Sequence, residues 1–398
     1  MIKSIGINAS FLRKVDTGIG QVTYYFLKYL FAYLKENDLA ERIIIYTEEE
    51  VSEKMRSMTV DLPVEWKVVS GWYKRDDLLR KILWEKFWLS REVKRDGCQR
   101  FYSLYQSTTV LPNEVEHIMF VHDVVPKVFP EYLNTFRKKI YYGFVDRAIQ
   151  RASSLMTISE FSRQEIERIY GIKKENISVH YIACDPNMKR EFSPADKEKV
   201  LRKYGLSKNE KFFFYIGGFD VRKNVDRLIQ GYGRFLYLHK NILSELPKLV
   251  LAGVVHRHLR PLVTDVQVEI ERVAKKYSLE REMFKLIGFV EQVDLPVFYQ
   301  TAKSLIYPSL YEGFGLPVLE AMTSSCPVIT SGTTAIKEIV GEDCAWIIGD
   351  PLSVEEIAKV IAEMVNADDL SKKVNCAKEQ SNKFSWEKFR DGVLGIKK

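Results

Sequence analysis

Two acids eight positions apart, Glu312 and Glu320, bracket a glycine-rich turn in the stretch 307–322, YPSLYEGFGLPVLEAM. Composition makes SLIYPS a buried strand, and YEGFG follows its C-terminal end. Pro317 suits the first turn of a helix, where a missing N–H costs nothing. The backbone amides of Gly313, Phe314, Gly315 and Leu316 then crown a helix N-terminus, which is a ready anion site, and the glycines let a ligand approach closely. Carboxylates beside an anion site are odd unless the ligand also offers hydroxyls. A nucleotide-sugar offers both: diphosphate for the amides, sugar and ribose hydroxyls for the acids. The plainer alternative is that the two acids only complement the helix dipole.

A second group lies in YIGGFDVRKNVDRLI, 215–229. A strand ends at Gly217–Gly218, and Arg222 and Lys223 stand just before a helix whose start is marked by Asn224. Two fixed cations at a strand end suit a diphosphate leaving group, whose developing charge they would stabilise. Taken alone, a solvated basic turn is an equal reading. Earlier in the chain, DTGIGQVTYY places Gly18 and Gly20 in a turn entering a helix. It is not GxGxxG, so no dinucleotide fingerprint is present. In FVHDVVP, His122 and Asp123 sit at the end of a buried strand, a functional position in layered α/β proteins, although a structural histidine is equally consistent.

The elements that would position these residues alternate along the chain. KSIGINA, RIIIYT, EWKVVS, HIMFVHD and SSLMTIS read as strands, with helices predicted over Gly20–Leu34, Asp77–Lys94, Thr135–Ala152 and Ser159–Tyr170. Residues 185–210 are polar, contain Pro186 and Pro194, and read as a linker and entry to a second domain. Strands then resume with KFFFYIGGF, KLVLAGVV, FKLIGFV, SLIYPS and CPVITS. The expected architecture is α/β, two doubly wound Rossmann-like domains facing a central cleft, with ligands at the C-terminal ends of the strands. The expected boundaries are 1–190, 191–375 and a C-terminal helical segment, 376–398, packing back on the first domain.

At 398 residues the chain exceeds one ordinary core, and 46% hydrophobic with 28% charged residues is usual for a globular protein. The net charge of +7 permits anionic partners, but no basic stripe or motif points to nucleic acid. No apolar run approaches the roughly 20 residues that span a bilayer. The start lacks the layout of a signal peptide. Five scattered cysteines without CxxC spacing suggest neither a zinc site nor a disulfide framework, so a reduced, cytoplasmic protein is expected.

Taken together, the glutamate, seven residues, glutamate pattern, GGFDVRKNVDRLI, and CPVITS followed by EIVG resemble the retaining glycosyltransferases of family 4, which have the GT-B fold. TGIGQVTYYFLKYL and VHDVVP look more narrowly like their bacterial mannosyltransferase-like members of surface polysaccharide synthesis. The resemblance implies that Arg222 and Lys223 hold the diphosphate, and that Glu312 with the amides of Gly313–Leu316 holds the transferred sugar. Glu320 takes the ribose, Gly218 belongs to the nucleotide-sugar site, and Gly288, Phe289 and Val290 border the base. His122 lies beside the reacting sugar, while Gly18 and Gly20 approach the phosphate from the first domain. The implied partners are a GDP-sugar (a UDP-sugar being the other candidate), a lipid-linked glycan acceptor and an anionic membrane surface, with no metal or other cofactor. No Asp-x-Asp motif is present. TSSCPV and ACDPNMK depart from the family's usual glycine-containing segments and bear on donor identity. The rival readings are a nucleotide-sugar epimerase of the same fold and a catalytically silent sugar-nucleotide-binding scaffold.

One further stretch, 72–95, sets Leu79, Ile82, Leu83 and Phe87 on one helical face beside Trp72, Tyr73, Trp84 and Trp88. Eight basic against four acidic residues there could seat it peripherally on an anionic membrane, or its apolar face packs inward.

Overall fold

In the computed structural model, which describes residues 2–69, 77–254 and 262–396, the alternating apolar runs form two wholly parallel sheets. Trp72 and Tyr73 lie outside the described residues. The first sheet comprises β1 (Ile2–Asn8), β2 (Ala40–Thr47), β3 (Val64–Val68), β4 (Arg100–Ser103), β5 (Glu116–Phe120), β6 (Ser154–Thr157) and β7 (Ile177–Val179), in the order β3-β2-β1-β4-β5-β6-β7. The second comprises β8 (Phe212–Ile216), β9 (Lys248–Ala252), β10 (Phe284–Gly288), β11 (Ser304–Tyr307), β12 (Val328–Ser331) and β13 (Trp346–Ile348), in the order β10-β9-β8-β11-β12-β13. Parallel strands buried on both faces need continuous apolar runs, and Ile43–Tyr46 and Phe212–Tyr215 are fully buried. Strand order reverses between β1 and β4 in one sheet and between β8 and β11 in the other. In doubly wound sheets such a reversal is the place where loops leaving neighbouring strands splay to opposite sides.

The chain divides into two compact units, one of residues up to Ile182 together with Ser385 onward, the other Ala183–Phe384. In the first unit the Trp386–Leu394 helix lies on the Gly18–Leu34 helix, with Trp386 stacked 5.0 Å from Tyr25 and Phe389 edge-on to Phe26. Both Trp386 and Phe389 are buried.

Three local expectations change. The polar stretch 185–210 contains a helix, Pro194–Lys203, capped by the Ser193 hydroxyl. Pro194 is its first residue, where proline starts a helix instead of breaking one. The expected helix over Asp77–Lys94 carries a π-helical turn, Trp84–Leu89, that separates Asp77–Leu83 from Ser90–Arg95. Finally, the cysteines do include a cross-link: Cys344 is joined to Cys376, and Cys98, Cys184 and Cys326 are free and buried. A single bridge spanning 32 residues leaves no trace in spacing, because folding alone brings its ends within 5.1 Å, Cα to Cα.

Candidate active site

The site stands at the reversal point of the second sheet, where the segments leaving β8 and β11 meet. β8 runs into Gly217, whose φ of 145° is open to glycine but strained for other residues. A short turn, Val221–Lys223, follows and ends on Asn224 in the left-handed conformation. The Asn224 amide donates to the Pro308 carbonyl at 3.0 Å and the Pro351 carbonyl at 2.6 Å. The Arg222 carbonyl accepts from the Leu310 amide at 2.7 Å and the Ser309 hydroxyl at 3.0 Å. Both loops are thereby fixed to one another through backbone groups.

Glu312 is 7% exposed, and both of its carboxylate oxygens are hydrogen-bonded. Oε1 accepts from Lys223 Nζ at 2.6 Å, Ser309 Oγ at 2.7 Å and Tyr307 Oη at 2.9 Å. Oε2 accepts from Arg222 Nη1 at 2.9 Å, and the same guanidinium also donates to the Tyr311 carbonyl. Lys223 Nζ further contacts the Tyr307 hydroxyl. Burial would raise the Glu312 pKa, but the Lys223 and Arg222 charges overcome it and hold the carboxyl down at about 2. The three residues singled out in sequence as diphosphate and sugar ligands are therefore one preassembled ion cluster.

Glu320 has different partners. It sits inside the Leu316–Thr323 helix, 4% exposed, and accepts from the Tyr299 hydroxyl at 2.8 Å. Burial pushes its pKa up to about 7, opposed by hydrogen bonds from Tyr299 and Gln292 and reinforced by the charge of Asp185. Two glutamates of one motif are thus driven apart in their ionisation, because two cations outweigh the effect of burial at Glu312, whereas at Glu320 burial outweighs the hydrogen bonds that oppose it. The helix that carries Glu320 begins on Gly315, whose φ of 113° requires glycine. Phe314 is buried edge-on to Phe384, a packing position.

The remaining candidates are placed as follows. Gly218 accepts from the Tyr215 hydroxyl at 2.7 Å through its carbonyl. Gly288 ends β10 with φ 75°, Val290 is buried, and Phe289 is exposed. In the first unit His122 is 4% exposed, its Nε2–H donating to the Leu104 carbonyl at 2.7 Å, and burial lowers its pKa, so the ring is neutral near pH 7. Gly18 opens the Gly18–Leu34 helix. At Gly20 an added Cβ would stand 1.9 Å from the Lys14 carbonyl oxygen, so packing alone demands glycine there. Sequence reasoning missed Tyr307, Ser309 and Tyr299, and read Asn224 as a helix start, which it is, without its bonds to the Pro308 and Pro351 carbonyls. Only Tyr307 and Ser309 carried a signal, as polar groups closing an otherwise apolar strand.

A family profile, glycosyl transferases group 1, matches residues 196–381. The chain is 32% identical over 281 residues to O-antigen chain mannosyltransferase B of Escherichia coli, covering 70% of this chain and 69% of that one. It is 25% identical over 352 residues to the O-antigen chain mannosyltransferase RfbU of Salmonella typhimurium, covering 86% of each. The crystal structure of WaaG, a glycosyltransferase involved in lipopolysaccharide biosynthesis, superposes with a TM-score of 0.70 at 19% identity, over 98% of this chain and 99% of WaaG. The fold is GT-B. The chain belongs to the group 1 glycosyltransferases and is a transferase, not an epimerase of the same fold. Within that family it falls with the bacterial mannosyltransferase-like members.

Proposed function

We propose that the protein transfers a hexose with retention of configuration, and without a metal, from a nucleotide-sugar to a lipid-linked glycan of surface polysaccharide or O-antigen. Mannose from GDP-mannose is the favoured donor, in keeping with the mannosyltransferase names of its relatives. The protein acts at the cytoplasmic face of an anionic membrane. The observation that carries this reading is the Arg222–Lys223–Glu312 cluster at the β8/β11 reversal point. Arg222 and Lys223 neutralise the diphosphate that departs, Glu312 accepts from a hydroxyl of the transferred sugar, and Glu320 accepts from the ribose. With its pKa near 2 and both oxygens already bonded, Glu312 is a poor proton acceptor and a poor nucleophile. The reading therefore gives the proton to the leaving group. The C1–O(phosphate) bond breaks, the acceptor oxygen bonds to C1 from the same face, and its proton passes to a phosphate oxygen.

Turnover of GDP-, UDP- and ADP-sugars by the purified protein, with EDTA present and the product anomer read by NMR, tests each part. GDP-mannose is expected to be consumed with its α configuration kept. Loss of turnover in EDTA, or an inverted product, would overturn the metal-free or the retaining part respectively.

A further inference from the structure

The first unit holds a small cavity at the C-terminal ends of β1 and β2, about 230 Å³ in volume. One wall is the Ser10–Lys14 turn. It is tied down where the Ser10 hydroxyl meets that of Tyr105 at 2.8 Å and the Ser10 amide donates to Asn8 Oδ1 at 3.1 Å. The other wall is the chain from Glu48 to Ser52, and the Ser52 hydroxyl caps the Glu53–Ser57 helix. Leu12, Met55 and the half-buried Tyr24 supply the apolar lining, and Arg13, Thr47 and Glu48 the polar lining.

Glu48 is the unusual group. Only 8% exposed, it lies between two guanidinium groups: Arg13 Nε is 3.5 Å from Oε1 and Arg80 Nε 3.4 Å from Oε2. Arg80, one of the basic residues of 72–95, thus turns inward. Both distances exceed the roughly 2.7–3.2 Å of an N–H···O hydrogen bond, so the carboxylate is ion-paired without being saturated. Burial raises its pKa against the charges of Arg13, Arg80 and Lys81, while Glu85 adds to the rise. Beside it Thr47 Oγ1, buried at the end of β2, has no hydrogen-bond partner among the described residues. A buried carboxylate and a buried hydroxyl with bonding capacity to spare, next to a cavity, call for a ligand rich in hydroxyls.

Size and charge narrow the class. A volume of 230 Å³ lies below the roughly 300–1,000 Å³ of pockets for drug-sized ligands, which leaves room for one sugar ring and not for a nucleotide. Three acids, Glu48, Glu49 and Glu50, line the cavity with one base, Arg13, which disfavours phosphates and carboxylates. Place sets the role. In the order β2-β1-β4-β5 the cavity lies two to three strands from β5, about 10–14 Å at about 4.8 Å per strand. His122, read as lying beside the reacting sugar, follows the end of β5. We infer that the cavity seats a neutral hexose of the acceptor glycan upstream of the sugar that reacts, with Glu48 and Thr47 bonding its hydroxyls and Tyr24 packing on its C–H face. The inference rests on the glycan acceptor of the proposed function and adds where a second sugar of that chain is held.

Saturation-transfer NMR with methyl α-mannoside on the GDP-saturated protein tests the site directly. Binding is expected in the wild type and in Glu312→Gln, which alters the sugar contact of the second unit. Affinity should fall about tenfold or more in Glu48→Gln, through loss of a charge-assisted hydrogen bond. It should be lost in Leu12→Trp, whose indole fills the cavity and leaves its charges in place. Melting and GDP binding show which variants are folded, and Leu12→Trp decides the matter if Glu48→Gln unfolds. Equal binding in the wild type and Leu12→Trp overturns the inference, as does tighter binding of glucosamine or mannose 6-phosphate than of methyl α-mannoside. Turnover separates this inference from the reading it rests on. With GDP-mannose, the wild type should show a lower KM for a lipid-linked mannotriose than for a lipid-linked mannose, and Leu12→Trp should abolish that preference. Wild-type turnover without the preference, or a preference kept in Leu12→Trp, overturns the inference and leaves the proposed function standing. No wild-type turnover on either acceptor overturns the proposed function, and the mannoside titration then decides the cavity.

Discussion

Glu312 and Glu320 are the same side chain in opposite surroundings, and their protons answer pH in opposite senses. Folding lowers the Glu312 pKa from 4.5 to about 2, so its stabilisation is present above pH 4.5 and is lost as pH falls through 2. Folding raises that of Glu320 from 4.5 to about 7, so its contribution is complete below pH 4.5 and is lost as pH rises through 7. Each is worth on the order of 3 kcal/mol. Glu320→Gln has no proton to lose. It should therefore melt above the wild type at pH 8.5, with the difference shrinking toward pH 5, as thermal unfolding across that range would read. An ionised Glu320 is also the better acceptor for ribose hydroxyls, so GDP affinity in the wild type should rise as pH passes 7 and stay flat in the variant. Glu312→Gln separates binding from chemistry. It releases Arg222 and Lys223 from their internal anion, so GDP should bind at least as tightly by calorimetry. Turnover should fall tenfold or more, through loss of a charge-assisted bond worth roughly 1.5–3 kcal/mol. Equal losses of GDP affinity in both variants would show that the two roles are not distinct.

At the scale of elements, each glycine has to be weighed against what surrounds it. Gly20 looked like a phosphate-approach residue, yet the Lys14 carbonyl and the Val15 Cα already occupy the space a Cβ would take. Backbone atoms cannot step aside as a flexible side chain can. Gly20→Ala should therefore destabilise the protein by about 1–3 kcal/mol, seen as a lower melting temperature with no nucleotide present. An unchanged melting temperature with weakened turnover would return the residue to a ligand role. Gly315 differs, since its φ of 113° sets the first turn of the helix bearing Glu320. The Asp77–Arg95 segment shows how one widened turn redistributes an amphipathic pattern: Trp84 is driven fully inside and Phe87 outward, although both lie in one apolar-rich run.

For the whole molecule, the Cys344–Cys376 bridge ties the loop before β13 to the Ser371–Ser381 helix, which packs on the Leu316–Thr323 helix of the site. Cross-linking these ends restricts the unfolded chain, so Cys376→Ser should cost the oxidised protein about 2–4 kcal/mol. Denaturant titrations with and without dithiothreitol would read it: reductant should bring the wild type down to the variant and leave the variant unchanged. A variant as stable as the oxidised wild type would remove any stabilising role for the bridge.

The layering, the strand runs and the candidate residues Arg222, Lys223, Glu312 and Glu320 were legible in the sequence, because apolar periodicity and local turn chemistry act over a few residues. Glycines and a proline around 313–317 fixed a strand–turn–helix that could be read directly. What only the tertiary structure decided were contacts between segments far apart in the chain. Lys223 meets Glu312 across 89 residues, Tyr299 meets Glu320 from another helix, and Lys86 meets the ring of Phe144. Burial and neighbouring charge, both products of those long-range contacts, are what hold one glutamate ionised and leave the other poised near neutrality.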